Sequence, residues 1–323
     1  MAKRLYSIII PVYNRPDEVD ELLESLTLQT YKNFEVIIVE DCSKKKCDKI
    51  VEKYIHELNI NYCSKENAGQ GFARNYGYER ARGEYFIVFD SDCIIPDHYL
   101  DTVETSLNEN YLDAYGGPDR AHDSFTPIQK AINFSMTSVF TTGGIRNKKK
   151  AIGGFSPKSF NMGISRVVFD ATGGYIIPYK GEDIEFSTRI RKMGFKTGLI
   201  EEAFVYHKRR TSWFKFFKQL HFFGTARINI ARFFPDQLKL VHFFPAIFTL
   251  GFILTILMWF FYPALAKVLT SIFVTYFLIL FIDALTRTRS LWISLLGIWA
   301  GFIQLTAYGS GLIQELLISI FKK

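Results

Sequence analysis

Through roughly the first 200 residues, short apolar runs alternate with stretches whose apolar positions recur at helical spacing. "YSIIIPVYN", "FEVIIVED", "INYCS" and "EYFIVFDSD" read as strands, three of them continuously apolar and therefore buried on both faces. Between them, "RPDEVDELLESLTLQT" puts Pro16 near a helix start, acids in the first turn, and Leu22, Leu23 and Leu26 on one face. Residues 47–58 and "GQGFARNYGYERARG", closed by Gly83, also read as helices. Strands alternating with amphipathic helices predict an α/β fold with a parallel, Rossmann-like sheet. Ligands bind such sheets at the carboxyl ends of the strands, where Asn14, Asp41 and Asp90 fall.

From residue 113 to 150 the pattern weakens into the Gly-rich, polar loops "GGPDRAHDSFTP" and "TTGGIRNKKK". "SFNMGISRVVFDATGGY" then reads as strand, turn and short helix, and "GEDIEFSTRIRKMGFKTGLI" as a helix from Glu182 and a strand from Lys196. Next, "SWFKFFKQLHFFGTARINIARFFPDQLKLVHFF" interleaves Phe and Trp with Lys and Arg, the composition of helices lying in a membrane interface. A core helix with snorkelling basic residues is the alternative. Residues 243–262, 263–284 and 291–313 follow as three largely uncharged stretches of the ~20 residues that cross a bilayer. The third continues less cleanly past Gln314 and Glu315 to Phe321. The expected organisation is therefore residues 1–210 as the α/β domain, 211–240 as interfacial helices and 241–323 as about three transmembrane helices. The tight turn holding Arg287 and Arg289 is expected on the cytoplasmic side, and two crossings earlier places the first domain there too. Terminal Lys322 and Lys323 then fall outside, so the last helix is expected to be partly interfacial or fully spanning.

Composition sharpens this division. Of 323 residues 48% are hydrophobic, and charge is dense up to Arg232 and nearly absent in the first apolar stretch. The mean hydropathy is +0.07 and the pI near 9.0. The net charge of +7 fits an anionic membrane or a phosphate-bearing substrate; with no zinc finger, RNA-binding aromatic signature or basic tail, nucleic acid is not an expected partner. The four cysteines, Cys42, Cys47, Cys63 and Cys93, show no paired ligand spacing, so a structural zinc site is not expected. They are expected to stay reduced in the cytoplasm. The opening "MAKRLYSIIIPVYN" lacks the long apolar core of a signal peptide and reads as the first strand.

The fourth strand ends in "DSD". Close carboxylates at Asp90 and Asp92 repel unless a cation lies between them, so this end is either a solvated turn or an ion site. Here the chain resembles the family 2 glycosyltransferases of GT-A fold, in their membrane-anchored bacterial form. "SIIIPVYN", "VEDCS", "NAGQGFARNYG", "DSD" and "GED" follow the family's motifs in order across residues 6–230. The resemblance implies a mixed, mainly parallel sheet and an inverting, hexosyltransferase-type enzyme. It implies a nucleotide-sugar donor, a UDP-sugar, with a lipid-linked or saccharide acceptor in cell-surface polysaccharide or glycan synthesis. Membrane lipids are the remaining partners, at the inner membrane.

Residue by residue, the resemblance assigns Pro11, Val12 and Tyr13 to the base, Glu40 and Asp41 to uracil or ribose, and Asp90 with Ser91 to the donor. Gly69 and Arg74 are assigned to a diphosphate site at a helix N-terminus. Mg²⁺ or Mn²⁺ is expected on Asp92, with Asp90 on ribose or a metal-bound water, and His207 completing the ion's shell. Asp183 matches the catalytic base, held ionised by the helix dipole; Glu182 binds the acceptor or orients the site, and Asn161 and Met162 flank the acceptor pocket. Glu40 and Cys42 depart from the family's usual Asp and Gly, and "QLHFFGTAR" lacks the Gln-x-x-Arg-Trp of processive relatives, favouring single-sugar transfer. Two alternatives are a metal-dependent nucleotidyltransferase, for which "PVYNRPDE" lacks the Gly-rich loop, and a non-catalytic membrane scaffold, which has no reason to keep close carboxylates at strand ends.

Overall fold

The computed structural model describes residues 3–143 and 155–321, so the loop expected at 144–150 and the terminal Lys322 and Lys323 lie outside the described residues. The elements run β1 (Tyr6–Val12), α1 (Pro16–Thr27), β2 (Phe34–Asp41), α2 (Asp48–Tyr54), β3 (Ile60–Lys65), α3 (Gln70–Tyr78), β4 (Tyr85–Phe89), β5 (Cys93–Ile94) and α4 (Tyr99–Glu109). They continue with β6 (Ala114–Gly116), β7 (Asp119–Arg120), α5 (Pro127–Thr137), α6 (Val139–Thr142), β8 (Asn161–Ser165), α7 (Arg166–Thr172), α8 (Glu182–Lys192), β9 (Thr197–Leu199) and β10 (Val205–His207). Then come α9 (Trp213–Phe233), α10 (Phe244–Phe261), α11 (Pro263–Thr288) and α12 (Leu291–Phe321). The chain divides into two compact units, residues 1–122 with 153–208 and residues 123–152 with 209–323.

The first unit is built on a seven-stranded sheet of order β3-β2-β1-β4-β8-β6-β9. Its neighbours run parallel except β8, which is antiparallel to both β4 and β6, so the sheet is mixed and mainly parallel. Successive side chains leave a strand on opposite faces. Ile8, Ile10, Val36 and Ile38 therefore join Leu22, Leu23 and Leu26 of α1 on one face. Ile9, Ile37, Val39, Phe86 and Val88 join Ala73, Tyr78 and Phe186 on the other. Burial on both faces is why these strands read as unbroken apolar runs. A second, three-stranded sheet, β5-β10-β7, pairs β10 antiparallel with β5 and places Cys93 opposite His207.

The second unit is helical. Helix α5, opened by a Thr126–Gln129 capping box, belongs here and not with the sheet, as does α6. Its Ala131, Ile132 and Met136 pack with Phe216 and Leu220 of α9 and Ala300, Ile303 and Ala307 of α12, and apolar burial of that stripe explains the placement. Among the described residues, three helices are long and apolar enough to cross a membrane: Leu240–Phe261, Pro263–Thr288 and Leu291–Phe321. The last, of 31 residues, is about 46 Å long at 1.5 Å per residue, more than a hydrocarbon core needs.

The aromatic-basic stretch forms the single long helix α9, followed by two short 3₁₀ turns. Phe216, Leu220, Gly224 and Ile228 recur every fourth residue and are all buried, while Phe214 and Phe217 stay exposed. Two glycines let α9 and α12 approach backbone to backbone: a Cβ on Gly224 would lie 2.2 Å from the Tyr308 carbonyl oxygen, and one on Gly311 would lie 2.1 Å from that of His221. Small residues at such crossings are the usual device for packing apolar helices. Gly224→Ala is expected to cost about 1–3 kcal/mol by overpacking, read as a lowered Tm of the purified chain. Gly251→Ala in α10, whose added Cβ would come no nearer than 3.8 Å to its closest neighbour, is expected to leave Tm unchanged or raise it. Equal shifts for the two variants would remove the close-packing argument.

Candidate active site

At the carboxyl end of β1 the chain turns through Asn14, which adopts the left-handed region at φ 56°. Its Oδ1 accepts from the Lys44 and Lys45 amides, and its own amide donates to Ser43 Oγ, tying the ends of β1 and β2 together. Cys42, standing where the family pattern has glycine, is also left-handed at φ 62°, which explains a glycine preference there. Tyr13 beside this turn is 52% exposed, whereas Val12 and Ser91 are buried and Pro11 is half-buried within β1.

Glu40 and Asp41 do not both face open space. Glu40 is fully buried at the end of β2; its Oε1 accepts from the Cys47 thiol at 3.0 Å, while its Oε2 has no partner. Asp41 is committed to the loop that follows β3: it accepts from the amides of Ala68 and Gly69 and pairs with Lys65 Nζ, each at 3.0 Å. Asp41, expected to accept from uracil or ribose, holds these backbone N–H groups in the structure.

At the diphosphate site expected at Gly69 and Arg74, the structure shows intramolecular partners. Gly69 donates its amide to Asp41, and Gly71 donates its own to the Pro178 carbonyl, so these donors of the α3 N-terminus are taken. A Cβ on Gly71 would sit 2.4 Å from the Ile177 carbonyl oxygen, so glycine there admits the 175–181 loop against α3. Arg74 points inward and is 1% exposed. Its guanidinium donates to Asp90 Oδ1 at 2.9 Å and to Glu182 Oε1 at 3.2 Å, and lies 5.4 Å from the ring centre of Tyr175. One buried cation thereby joins the strand end that carries "DSD" to the helix start that carries "GED".

Glu182 and Asp183 occupy the first turn of α8, after left-handed Gly181. Glu182 is 3% exposed and also accepts from Gln70 Nε2. Burial pushes its carboxyl above the usual range, with Arg74 opposing this and Asp183 adding to it. Asp183 is more open, at 22% side-chain exposure, with Lys158 Nζ 3.8 Å away. It is the more exposed carboxylate of the pair.

Asp92 lies three residues past the end of β4. Its Oδ1 faces His207 Nε2 at 3.1 Å, and its Oδ2 accepts from Arg15 at 2.6 Å. The Phe160 ring stacks on His207, centroids 4.9 Å apart. Asp92, Cys93 and His207 form a group whose ligand atoms all lie within 4.8 Å of one another. A carboxylate and an imidazole converging in this way fit a divalent cation, and Asp90, taken by Arg74, is the acid left to one side.

Asn161 and Met162, expected to flank an acceptor pocket, are both fully buried in β8. The Asn161 amide donates to the Ala203 carbonyl at 2.8 Å and accepts from the Tyr99 hydroxyl, while Met162 lies in the core under α8. Central sheet position turns both inward. Arg15, Cys93, Lys158 and Phe160 are the contributors that the sequence reading missed. Only Arg15, next to the Asn14 turn, carried a local signal.

The model of glycosyl transferase family 2 matches residues 7–173, which take in Arg74, Asp90 and Asp92 but stop short of Glu182, Asp183 and His207. An uncharacterized glycosyltransferase of Haemophilus influenzae is 35% identical over 133 residues, 40% of this chain and 44% of that protein. Poly(ribitol-phosphate) beta-N-acetylglucosaminyltransferase TarS of Staphylococcus aureus is 36% identical over 112 residues, 33% of this chain and 20% of TarS. Each match takes in less than half of the relative's length. Among solved structures, mannosyltransferase PcManGT from Pyrobaculum calidifontis, in complex with GDP-Man and Mn²⁺, aligns with a TM-score of 0.62 over 98% of this chain and 88% of that one. At 15% identity, this likeness is one of fold.

Proposed function

Because the chain belongs to glycosyl transferase family 2, we propose that it is an inverting glycosyltransferase taking a sugar from a nucleotide-sugar, a UDP-sugar, to a hydroxyl of a lipid-linked or saccharide acceptor. The observation that carries this reading is the Arg74 bridge, which brings the "DSD" and "GED" carboxylates into one site. A donor-side acid and an acceptor-side base must meet at one anomeric carbon, and this bridge supplies that proximity. TarS, locally similar to this chain, is known in complex with UDP-GlcNAc, which supports a UDP-sugar as donor. Glu40 Oε2, a buried acceptor without a partner, suits a base N–H, and exposed Tyr13 offers a ring for stacking.

Asp92 and His207 would hold Mg²⁺ or Mn²⁺. When bound, such an ion acts as a Lewis acid toward the negative charge of the departing diphosphate. Asp183 accepts the proton of the acceptor hydroxyl; that oxygen bonds to the anomeric carbon from the face opposite the diphosphate, and the anomeric C–O bond breaks with its electron pair leaving on the diphosphate oxygen. Arg74 holds Asp90 and Glu182 in place during this exchange and does not itself touch the donor. The three apolar helices support membrane anchoring, and the Arg287 and Arg289 turn supports a cytoplasmic face, where lipid-linked acceptors are reached.

The test is donor binding with and without Mn²⁺, by calorimetry on the full chain in detergent. Wild type is expected to bind a UDP-sugar only with the ion present, and Asp92→Asn to lose that dependence. An unchanged Mn²⁺-dependent affinity in Asp92→Asn would overturn the assignment.

A further inference from the structure

We propose that Cys93 is a third protein ligand beside Asp92 and His207, so that this ion site takes Zn²⁺ or Cd²⁺ in preference to Mg²⁺ or Mn²⁺. The inference rests on the reading of Asp92 and His207 as ion ligands given above, and extends it to a ligand and a metal preference.

Three observations carry it. The ligand atoms of Asp92, Cys93 and His207 all fall within 4.8 Å of one another, close enough to share one cation. The arrangement is built into the backbone: β5 and β10 run antiparallel with Cys93 directly opposite His207, and the Lys208 amide donates to the Asp92 carbonyl at 2.9 Å. Residues directly opposite in such a pair project from the same side of the sheet. Asp92 and Cys93 are both buried, and Phe160 stacks on the imidazole, so the donors are held in place.

The chemistry of the donors decides the preference. Mg²⁺ and Mn²⁺ favour oxygen ligands, whereas one thiolate, one imidazole and one carboxylate form a donor set for Zn²⁺. Three protein ligands leave a fourth position for water or a diphosphate oxygen. On binding, a metal–sulfur bond forms at Cys93 Sγ and the thiol proton passes to solvent. Since the same Asp92 carboxylate serves either ion, Zn²⁺ displaces Mn²⁺ and does not add to it. The enzyme is then sensitive to the ratio of the two metals.

X-ray absorption at the zinc edge, on the full chain carrying Cys42→Ser and Cys63→Ser and loaded with one equivalent of Zn²⁺, is expected to show one sulfur at about 2.3 Å among nitrogen and oxygen ligands. A shell of nitrogen and oxygen alone overturns the proposal without needing any change at Cys93. In parallel, Cd²⁺ titration of the wild-type chain is expected to give the ultraviolet thiolate-to-cadmium band at one equivalent. Cys93→Ser should abolish that band and His207→Ala weaken it, and a band that survives Cys93→Ser overturns the proposal. The ratio of Zn²⁺ to Mn²⁺ affinity is expected to fall at least about tenfold in Cys93→Ser. If wild type binds Mn²⁺ through Asp92 but its zinc shell lacks sulfur, only this inference fails. If it binds neither ion, the ion-site reading fails and takes this one with it.

Discussion

Asp183→Asn is expected to slow sugar transfer by about 10²–10⁴-fold while leaving donor affinity nearly unchanged. The amide keeps the size and the hydrogen-bonding reach of the carboxylate but cannot accept the acceptor's proton. Position supports the distinction between the two acids of the pair. Asp183 is partly exposed in the first turn of α8, where the helix N-terminus favours negative charge, while Glu182 is buried against Arg74 and Gln70. In the proposed mechanism Glu182 holds the framework and Asp183 meets the substrate. The measurement is single-turnover transfer at saturating UDP-sugar and Mn²⁺, with donor affinity determined separately by calorimetry. Wild-type turnover in Asp183→Asn would remove its role as base, and a parallel loss of donor affinity would make it a binding residue.

Arg74→Met is expected to lower stability by about 3–5 kcal/mol, since it strips the cation from a buried carboxylate. Methionine fills much of the arginine's volume, so the loss reports charge and hydrogen bonding more than a cavity. Glu182, at 4% side-chain exposure, is left with its burial cost uncompensated, while Asp90, at 32%, turns to water. Against a typical total of 5–15 kcal/mol this is a large fraction. Chemical denaturation of the purified chain reads it. Adding Glu182→Gln to Arg74→Met is expected to recover part of the loss, because the second change removes the stranded charge. An unaltered denaturation midpoint in Arg74→Met would show that the bridge contributes nothing.

Much of the architecture was legible because apolar periodicity is local. The runs at β1, β2 and β4, the GED helix and the strand–helix pair of β8 and α7 lie where their patterns put them. The three apolar spans also fall at the expected residues. What escaped was direction. Gly69 and Arg74 are expected at an anion site because a glycine followed by a basic helix start often is one. No local pattern shows that the fold aims Arg74 inward, at carboxylates 16 and 108 residues away in sequence. Asn161 and Met162 matched a motif position, yet a central strand buries both. Residues 123–143 looked like a weakly patterned loop region with the first domain, but α5 finds its apolar partners on α9 and α12.

By itself the sequence determined the long buried strands, which of the expected helices are amphipathic or apolar throughout, and that acids gather at strand ends. Those properties follow from the periodicity of side-chain polarity and need no knowledge of distant residues. Only the tertiary structure decided that Arg74 bridges Asp90 to Glu182, that Asp41 closes a loop, and that Cys93 stands across from His207. These are matters of strand register and loop path, fixed by packing between residues far apart in the chain, and no local pattern carries them.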